Sequence, residues 1–158
     1  MTDEKKQEYT RRISQANRTA LISIVYEIAL DYMNEARLDL NEGGGDDISS
    51  PLRSARNCMD NLMSVLDMQY DISKNLYGLY MFCKKELILA QSKKDIGHIN
   101  NAYSVIEKLK EAWTQIESSD VSSVEFENTE KVYAGLTYGR GTLNVSVQDP
   151  GVNRGFKA

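Results

Sequence analysis

The sequence predicts an all-α protein: an antiparallel up-down four-helix bundle with a short N-terminal cap and an extended or mobile C-terminal tail. Three observations support this prediction. Four segments repeat apolar residues with the 3.6-residue period of a helix, helix-breaking residues separate the segments, and most of the links are short. Short links make successive helices antiparallel, and helices of roughly 20 residues, about 30 Å long, then pack most economically as a bundle.

The first two helices are predicted on either side of a glycine-rich loop. The first runs from about Asn17 to Leu40, and its apolar stripe is Leu21, Ile24, Val25, Ile28, Tyr32 and Ala36. Three glycines, Gly43 to Gly45, remove the helical preference of the chain after it. The second helix is predicted to begin at Ser49-Ser50-Pro51, where a hydroxyl cap precedes a proline. Its stripe, Leu52, Ala55, Met59, Leu62 and Leu66, ends near Met68.

The third and fourth helices follow after tight links. The third is predicted to use Asp71 or Ser73 as its cap, and the fourth to use Asp95. The stripe of the third helix is Leu76, Leu79, Cys83, Leu87 and Ala90; that of the fourth is Ile99, Ala102, Ile106, Leu109, Trp113 and Ile116. Cys58 and Cys83 lie at similar distances from the link between their helices and are predicted to remain buried thiols.

The periodicity divides the chain into three parts. Residues 1–16 are predicted as an N-terminal cap segment, 17–119 as the bundle, and 120–158 as the tail, where glycines and serines replace the apolar repeat. One hypothesis is that the apolar run Val132–Tyr138 occupies a groove of the bundle; the alternative is a disordered tail.

Composition excludes several classes of function. The net charge of −4 argues against nucleic-acid binding, which requires a concentrated basic surface. No apolar run approaches the ~18 residues that span a bilayer, and the polar N-terminus lacks the apolar core of a secretory signal. We therefore expect a cytoplasmic protein without membrane insertion.

Candidate catalytic and metal-binding residues are few. His98 is the single histidine, and Asp95-x-x-His98 is one isolated copy of a motif that bundle metal sites need twice. Two cysteines and one histidine cannot complete a zinc site. Gly43–Gly45 is followed by acids, which would repel a phosphate. The sequence predicts a protein that is not an enzyme and has no catalytic residues, metal or cofactor.

The predicted helices carry more apolar surface than one buried stripe requires. The surplus residues are Met63, Met68, Tyr70, Tyr77, Tyr80, Met81, Ile88, Tyr103 and Val105. Tyrosine and methionine suit adaptable contact surfaces, and the chain has nine tyrosines against three phenylalanines. This bias favours a groove for a partner helix. The alternative is that these residues thicken the core or are ordinary surface tyrosines.

Several motifs resemble the flagellar secretion chaperone family known as FliS. Asn75–Tyr80 matches the family's N-L-x-x-L-Y, and Leu109–Trp113 is similar to its L-R-E-A-W. Ala16–Ile22, followed by Tyr26-Glu27, is similar to T-A-S-P-x-x-L-I…L-Y-E, with Asn17-Arg18 in place of Ser-Pro. The resemblance covers about Tyr9 to Glu117 and leaves the tail outside.

The resemblance implies a function and a partner. The family binds the disordered C-terminal segment of flagellin, prevents its premature polymerisation and escorts it to the flagellar export apparatus. The alternative is an adaptor that binds another flagellar assembly, export or regulatory protein. The expected contacts are Met63, Met68, Tyr70, Tyr77, Tyr80, Met81, Ile88 and Tyr103, with Tyr9 and Ile13 in an N-terminal cap that moves on binding.

Overall fold

The computed structural model describes residues 1–43 and 47–122, without the side chains of 117 and 119–122. Five helices form this part of the chain: α1 (Asp3–Gln15), α2 (Arg18–Asn41), α3 (Ser49–Ser64), α4 (Asp71–Lys93) and α5 (Ile96–Ser122). The described residues contain no strand, so the all-α prediction is confirmed. Helix α5 continues to Ser122, and the tail beyond it, with the hypothesis on Val132–Tyr138, lies outside the described residues.

The sequence did not predict α1 as a helix, because no apolar stripe repeats along it. In the structure Tyr9 is its only fully buried residue. Its first turn carries two features that stabilise a helix start. The hydroxyl of Thr2 accepts a hydrogen bond from the backbone N–H of Lys5, and Asp3 and Glu4 complement the positive end of the helix dipole. The segment predicted as a cap is therefore a helix in its own right.

The starts of the other helices follow local capping chemistry. Asn17 Oδ1 accepts from the Ala20 N–H at 2.8 Å, so asparagine performs the capping role despite the missing Ser-Pro. Asp95 Oδ1 accepts from the Gly97 N–H at 2.8 Å, which confirms the predicted cap of α5.

Two of the predicted caps are wrong. Helix α3 begins at Ser49, with Asp47 Oδ1 accepting from the Ser50 N–H at 3.3 Å in place of the predicted serine hydroxyl. Helix α4 begins at Asp71 without any side-chain capping bond.

The helices pack as a bundle in which α2 contacts α3 and α5, and α4 contacts the same two helices, while α1 contacts α2 alone. Neighbouring helices are antiparallel, because residues with higher numbers on one helix pair with residues with lower numbers on the next. Between α3 and α4, Asp60 pairs with Lys84 and Arg56 with Gln91. The contacts between α4 and α5, between α2 and α5 and between α1 and α2 follow the same antiparallel order.

The core side of α4 alternates steps of three and four residues. Its buried positions are Ser73, Leu76, Tyr80, Cys83, Glu86, Leu87 and Ala90. Leu79 was predicted to belong to the core, but its side chain is 38% exposed because the adjacent Tyr80 takes that position. The Tyr80 hydroxyl lies 2.5 Å from the hydroxyl of Tyr26 on α2. This contact joins two helices whose backbones do not touch.

Helix α2 is buried around most of its circumference because α1, α3 and α5 all pack on it. The predicted stripe therefore covered only part of its buried surface, and Ile22, Tyr26 and Met33 are buried as well.

Cys58 and Cys83 are both free thiols in the core, as predicted. Burial raises the pKa of each to about 12, so both are protonated at neutral pH. Among the described helices, none combines the length and hydropathy needed to cross a membrane.

Candidate partner-binding surface

Helix α4 exposes large apolar side chains on the side away from the core. Tyr77 is 41% exposed, Met81 44% and Ile88 51%. Together with Lys84 and Gln91 they fall at positions i, i+4, i+7, i+11 and i+14, which places all five side chains along one side of the helix. The stripe is about 21 Å long at 1.5 Å per residue.

Helix α3 forms the adjacent border of this stripe. The side chains of Asp60 and Arg56 reach Lys84 and Gln91 at 2.5 and 2.8 Å. Met63 follows Asp60 by three residues on α3, and Met81 precedes Lys84 by three residues on α4, so Met63 lies level with Met81. Met63 is partly buried against the core. We call Met63, Tyr77, Met81 and Ile88 the α3/α4 surface.

Two further predicted residues lie in the link between α3 and α4. Met68 is 45% exposed and Tyr70 is half-buried immediately before α4. Since this link leads into the N-terminal turn of α4, both residues lie near the end of the α3/α4 surface occupied by Tyr77. The structure thus brings six of the predicted residues into one region.

Sequence reasoning missed Phe82, which follows Met81 on α4 and is 43% exposed. With Leu79 it makes α4 apolar on nearly every side. The signal was present in the uninterrupted run Leu79-Tyr80-Met81-Phe82, because four consecutive large apolar residues cannot all face one core.

Four of the predicted residues lie elsewhere. Tyr80 is fully buried and is not part of any exposed surface, because it fills the core position opposite Tyr26. Tyr103 is half-buried between α2 and α5, with the Arg37 guanidinium 5.1 Å from the centre of its ring. That face is not the α3/α4 surface, because it lies between the other two helices of the bundle.

Tyr9 and Ile13 belong to α1 and pack against α2. The Tyr9 hydroxyl donates to Asp31, and burial, followed by this hydrogen bond, raises the pKa of Tyr9 well above its ordinary value. Lys5 pairs with Asp31 at 2.7 Å and Arg12 with Glu27 at 2.7 Å. Polar contacts therefore contribute much of the attachment of α1, since Tyr9 is its only fully buried side chain.

The single histidine, His98, belongs to a polar cluster between α4 and α5. Asn101 Nδ2 donates to Glu86 Oε2 at 2.8 Å, and His98 Nδ1 lies 2.9 Å from the same oxygen. Asp95 caps α5, so it does not act with His98 as a motif. Among the side chains that the structure describes, no three or more histidine, cysteine or acidic groups are placed to hold a metal ion. The cluster links two helices.

Glu86→Gln is expected to lower the free energy of unfolding by about 1.5–3 kcal/mol at neutral pH, because it removes the charge from a buried hydrogen-bonded carboxylate. The bonds from Asn101 and then His98 lower the pKa of Glu86 below its ordinary value. The stabilisation is therefore present above the ordinary glutamate pKa and is lost as the pH falls through the lowered one.

Urea unfolding between about pH 7 and about pH 3 measures this effect, since the range covers the titration of a glutamate. The difference between the protein and Glu86→Gln should shrink towards acid pH. Glu111→Gln, at an exposed position on α5, is the control and should change little. A Glu86→Gln difference that stays constant over this range contradicts the role assigned to Glu86.

Two comparisons with known proteins point to the same family. The flagellar secretion chaperone FliS of Vibrio cholerae is 25% identical over 114 residues, which cover 71% of this chain and 84% of that protein. The family model described as "Flagellar protein FliS" matches residues 1–120, which include all five helices except the last two residues of α5. The chain therefore belongs to the FliS family of flagellar proteins.

Proposed function

We propose that this chain is an export chaperone that binds the disordered C-terminal segment of flagellin on its α3/α4 surface. It acts in the cytoplasm, prevents premature polymerisation and escorts flagellin to the export apparatus. The observation that carries the proposal is the row of exposed Tyr77, Met81 and Ile88 on α4. Membership of a flagellar chaperone family supports a flagellar protein as the partner.

The physical basis is the hydrophobic effect. Exposed apolar side chains in a row attract an apolar stripe on another chain, and each fully buried side chain contributes about 1.5–3 kcal/mol. Ordering a disordered segment costs on the order of 2–5 kcal/mol, so the contact has to be extensive. We expect it to bury more than roughly 1,600 Å² in total. Met68 and Tyr70 extend the surface beyond the central row, and Phe82 adds exposed apolar area on another side of α4.

The helix arrangement suits this role. We interpret α2 to α5 as an antiparallel up-down four-helix bundle in residues 17–119, with 1–16 as the cap segment. In such a bundle the grooves between neighbouring helices run the full length of the molecule. A client helix can lie in the α3/α4 groove with its apolar residues repeating every three or four positions.

We also propose that α1, with Tyr9 and Ile13, moves when the client binds. The N-terminal segment is attached to α2 by the ion pairs of Lys5 and Arg12, by the pair between the Met1 ammonium and Glu35, by the buried Tyr9 and by the partly buried Ile13. Partly exposed ion pairs contribute little, typically about 0–1 kcal/mol each. The main cost of displacing α1 is therefore the burial of Tyr9 and of the partly buried Ile13, and the displacement would uncover apolar surface of α2 that the client can cover in exchange.

Calorimetric titration with the C-terminal segment of flagellin from the same genome tests the function. We expect one client segment to bind each chaperone with micromolar or tighter affinity and with a negative heat-capacity change, because apolar surface is buried. The N-terminal segment of the same flagellin is the matched control and should give no heat. Absence of heat with the C-terminal segment at micromolar concentrations contradicts the proposed function.

A further inference from the structure

Two arginines of α3 border the α3/α4 surface at the end where Ile88 lies. Arg53 and Arg56 are three residues apart, so they are neighbours on the helix. Arg56 is half-buried, and its Nη1 donates to Gln91 Oε1 at 2.8 Å. Gln91 follows Ile88 by three residues on the same side of α4. The guanidinium of Arg56 therefore lies next to the exposed apolar row.

The position of Arg56 is fixed by neutral groups. Gln91 Nε2 donates to Ser49 Oγ at 3.1 Å, so the amide that accepts from Arg56 is itself held in place. A guanidinium has five N–H donors, and described residues accept from only one of those on Arg56. The side chain is oriented, yet most of its hydrogen-bonding capacity remains for another acceptor.

The positive charge at this position is only partly offset by the described part of the chain: the charge of Asp60 favours the Arg56 guanidinium, but Asp60 forms its ion pair with another residue. Asp60, one turn from Arg56, pairs with Lys84 at 2.5 Å. No described carboxylate forms an ion pair with Arg53 or Arg56. Burial, and next the charge of Arg53, lower the pKa of Arg56. Both effects mean that the charged guanidinium is less stable here than in water, and a bound anion would offset them.

We propose that Arg53 and Arg56 bind a carboxylate side chain of the client segment that lies on the α3/α4 surface. This inference rests on the proposed function and adds the chemistry and direction of the client. A guanidinium can hold a carboxylate through two parallel hydrogen bonds, which fixes orientation as well as position. The client acid then sits about one helical turn beyond the apolar residue that covers Ile88, so the segment binds in one direction only.

Calorimetry with the flagellin C-terminal segment tests the inference with Arg53→Gln, Arg56→Gln and the double variant. Lys108→Gln, an exposed position on α5, is the control for the loss of one positive charge. We expect each arginine variant to bind about tenfold more weakly, which corresponds to one charge-assisted contact, and Lys108→Gln to bind as the unaltered protein does. Affinity should also fall less with added salt in the double variant, because fewer exposed charges interact.

Client variants identify the acid. Each aspartate or glutamate of the segment is replaced singly by asparagine or glutamine and titrated against the protein and against Arg56→Gln. One replacement should weaken binding to the protein about tenfold and have little effect on Arg56→Gln, which is the pattern of two residues in contact. Independent effects at every acid would overturn the inference.

Other outcomes separate this inference from the proposed function. If the segment binds and Ile88→Lys abolishes binding while both arginine variants bind normally, the carboxylate site is refuted and the function stands. If the segment does not bind at all, both are refuted. Circular dichroism checks that each variant is folded. Arg53→Gln breaks no hydrogen bond or ion pair within the described residues, so its affinity remains informative even if Arg56→Gln is unstable.

Discussion

Replacing Met81 and Ile88 together by lysine is expected to weaken flagellin binding at least about 100-fold while leaving the chaperone folded. The substitution places two charges where the client has to bury apolar side chains. Losing the burial of two large side chains removes about 3 kcal/mol or more, and 1.4 kcal/mol corresponds to a factor of ten. Both residues are about half exposed, at 44% and 51%, so the stability of the free protein should change by less than about 1 kcal/mol.

Leu38→Lys provides the matched control for this variant. Leu38 is 59% exposed on α2, a helix whose backbone does not touch that of α4, so the same kind of substitution is made outside the α3/α4 surface. Its affinity for the client should remain unchanged. If Met81→Lys/Ile88→Lys and Leu38→Lys weaken binding equally, general charge and not this surface governs the interaction.

The second large effect concerns stability and compares two tyrosines three residues apart on α4. Tyr80→Ala is expected to destabilise the protein by about 3–5 kcal/mol, because it removes a fully buried ring and leaves a cavity. It also removes the hydroxyl that contacts Tyr26. Tyr77→Ala should cost less than about 1 kcal/mol, because that ring is already 41% exposed. Urea unfolding followed by circular dichroism measures both.

Client binding distinguishes the same two tyrosines in the opposite way. Tyr77→Ala should weaken the affinity for the flagellin segment about tenfold, whereas a folded Tyr80→Phe variant should bind normally, since its ring stays in the core. Equal destabilisation by the two alanine substitutions would contradict the placement of Tyr80 inside and Tyr77 outside. Weaker binding by Tyr80→Phe would indicate that the sequence-based assignment of Tyr80 to the surface was correct.

The sequence was sufficient to predict α2 to α5 because their ends carry local chemistry. Asp95 caps α5 through a hydrogen bond within its own turn, and such a contact can be foreseen without knowing the fold. Helix α1 could not be predicted from periodicity, because polar contacts with Asp31 and Glu27 hold it and only one of its residues is fully buried. Those partners lie more than a dozen residues away and become neighbours only after folding.

The sequence predicted that tyrosine and methionine form the candidate surface, but it predicted only some of the positions correctly. Met81 and Ile88 could be recognised because they fall outside any single core stripe of α4. Leu79 and Tyr80 were assigned the wrong way round, since adjacent apolar residues fit a helical stripe about equally well. The regular spacing from Leu76 through Cys83 to Leu87 favours Tyr80 and could have corrected the error.

Tyr103 illustrates a different kind of error. Which side of α5 faces α2, and which faces α4, depends on the order of helices around the bundle, and periodicity alone does not contain this order. The residue therefore looked equivalent to the tyrosines of α4, although Arg37 of α2 covers its ring. The sequence analysis missed the arginines of α3 for the same reason: the contact between Arg56 and Gln91 depends on α3 and α4 being neighbours in the bundle.

Methyl-resolved nuclear magnetic resonance of the chaperone bound to the flagellin C-terminal segment tests most directly whether the α3/α4 surface is the contact. The methyl groups of Met63, Met81 and Ile88 should show intermolecular contacts with the client and large shifts on binding. The buried methyl groups of Met33, Met59 and Ile22, which are all 0% exposed, should show no such contacts and serve as the internal control. Intermolecular contacts confined to residues of α2 and α5, with Met81 and Ile88 unaffected, would contradict the account.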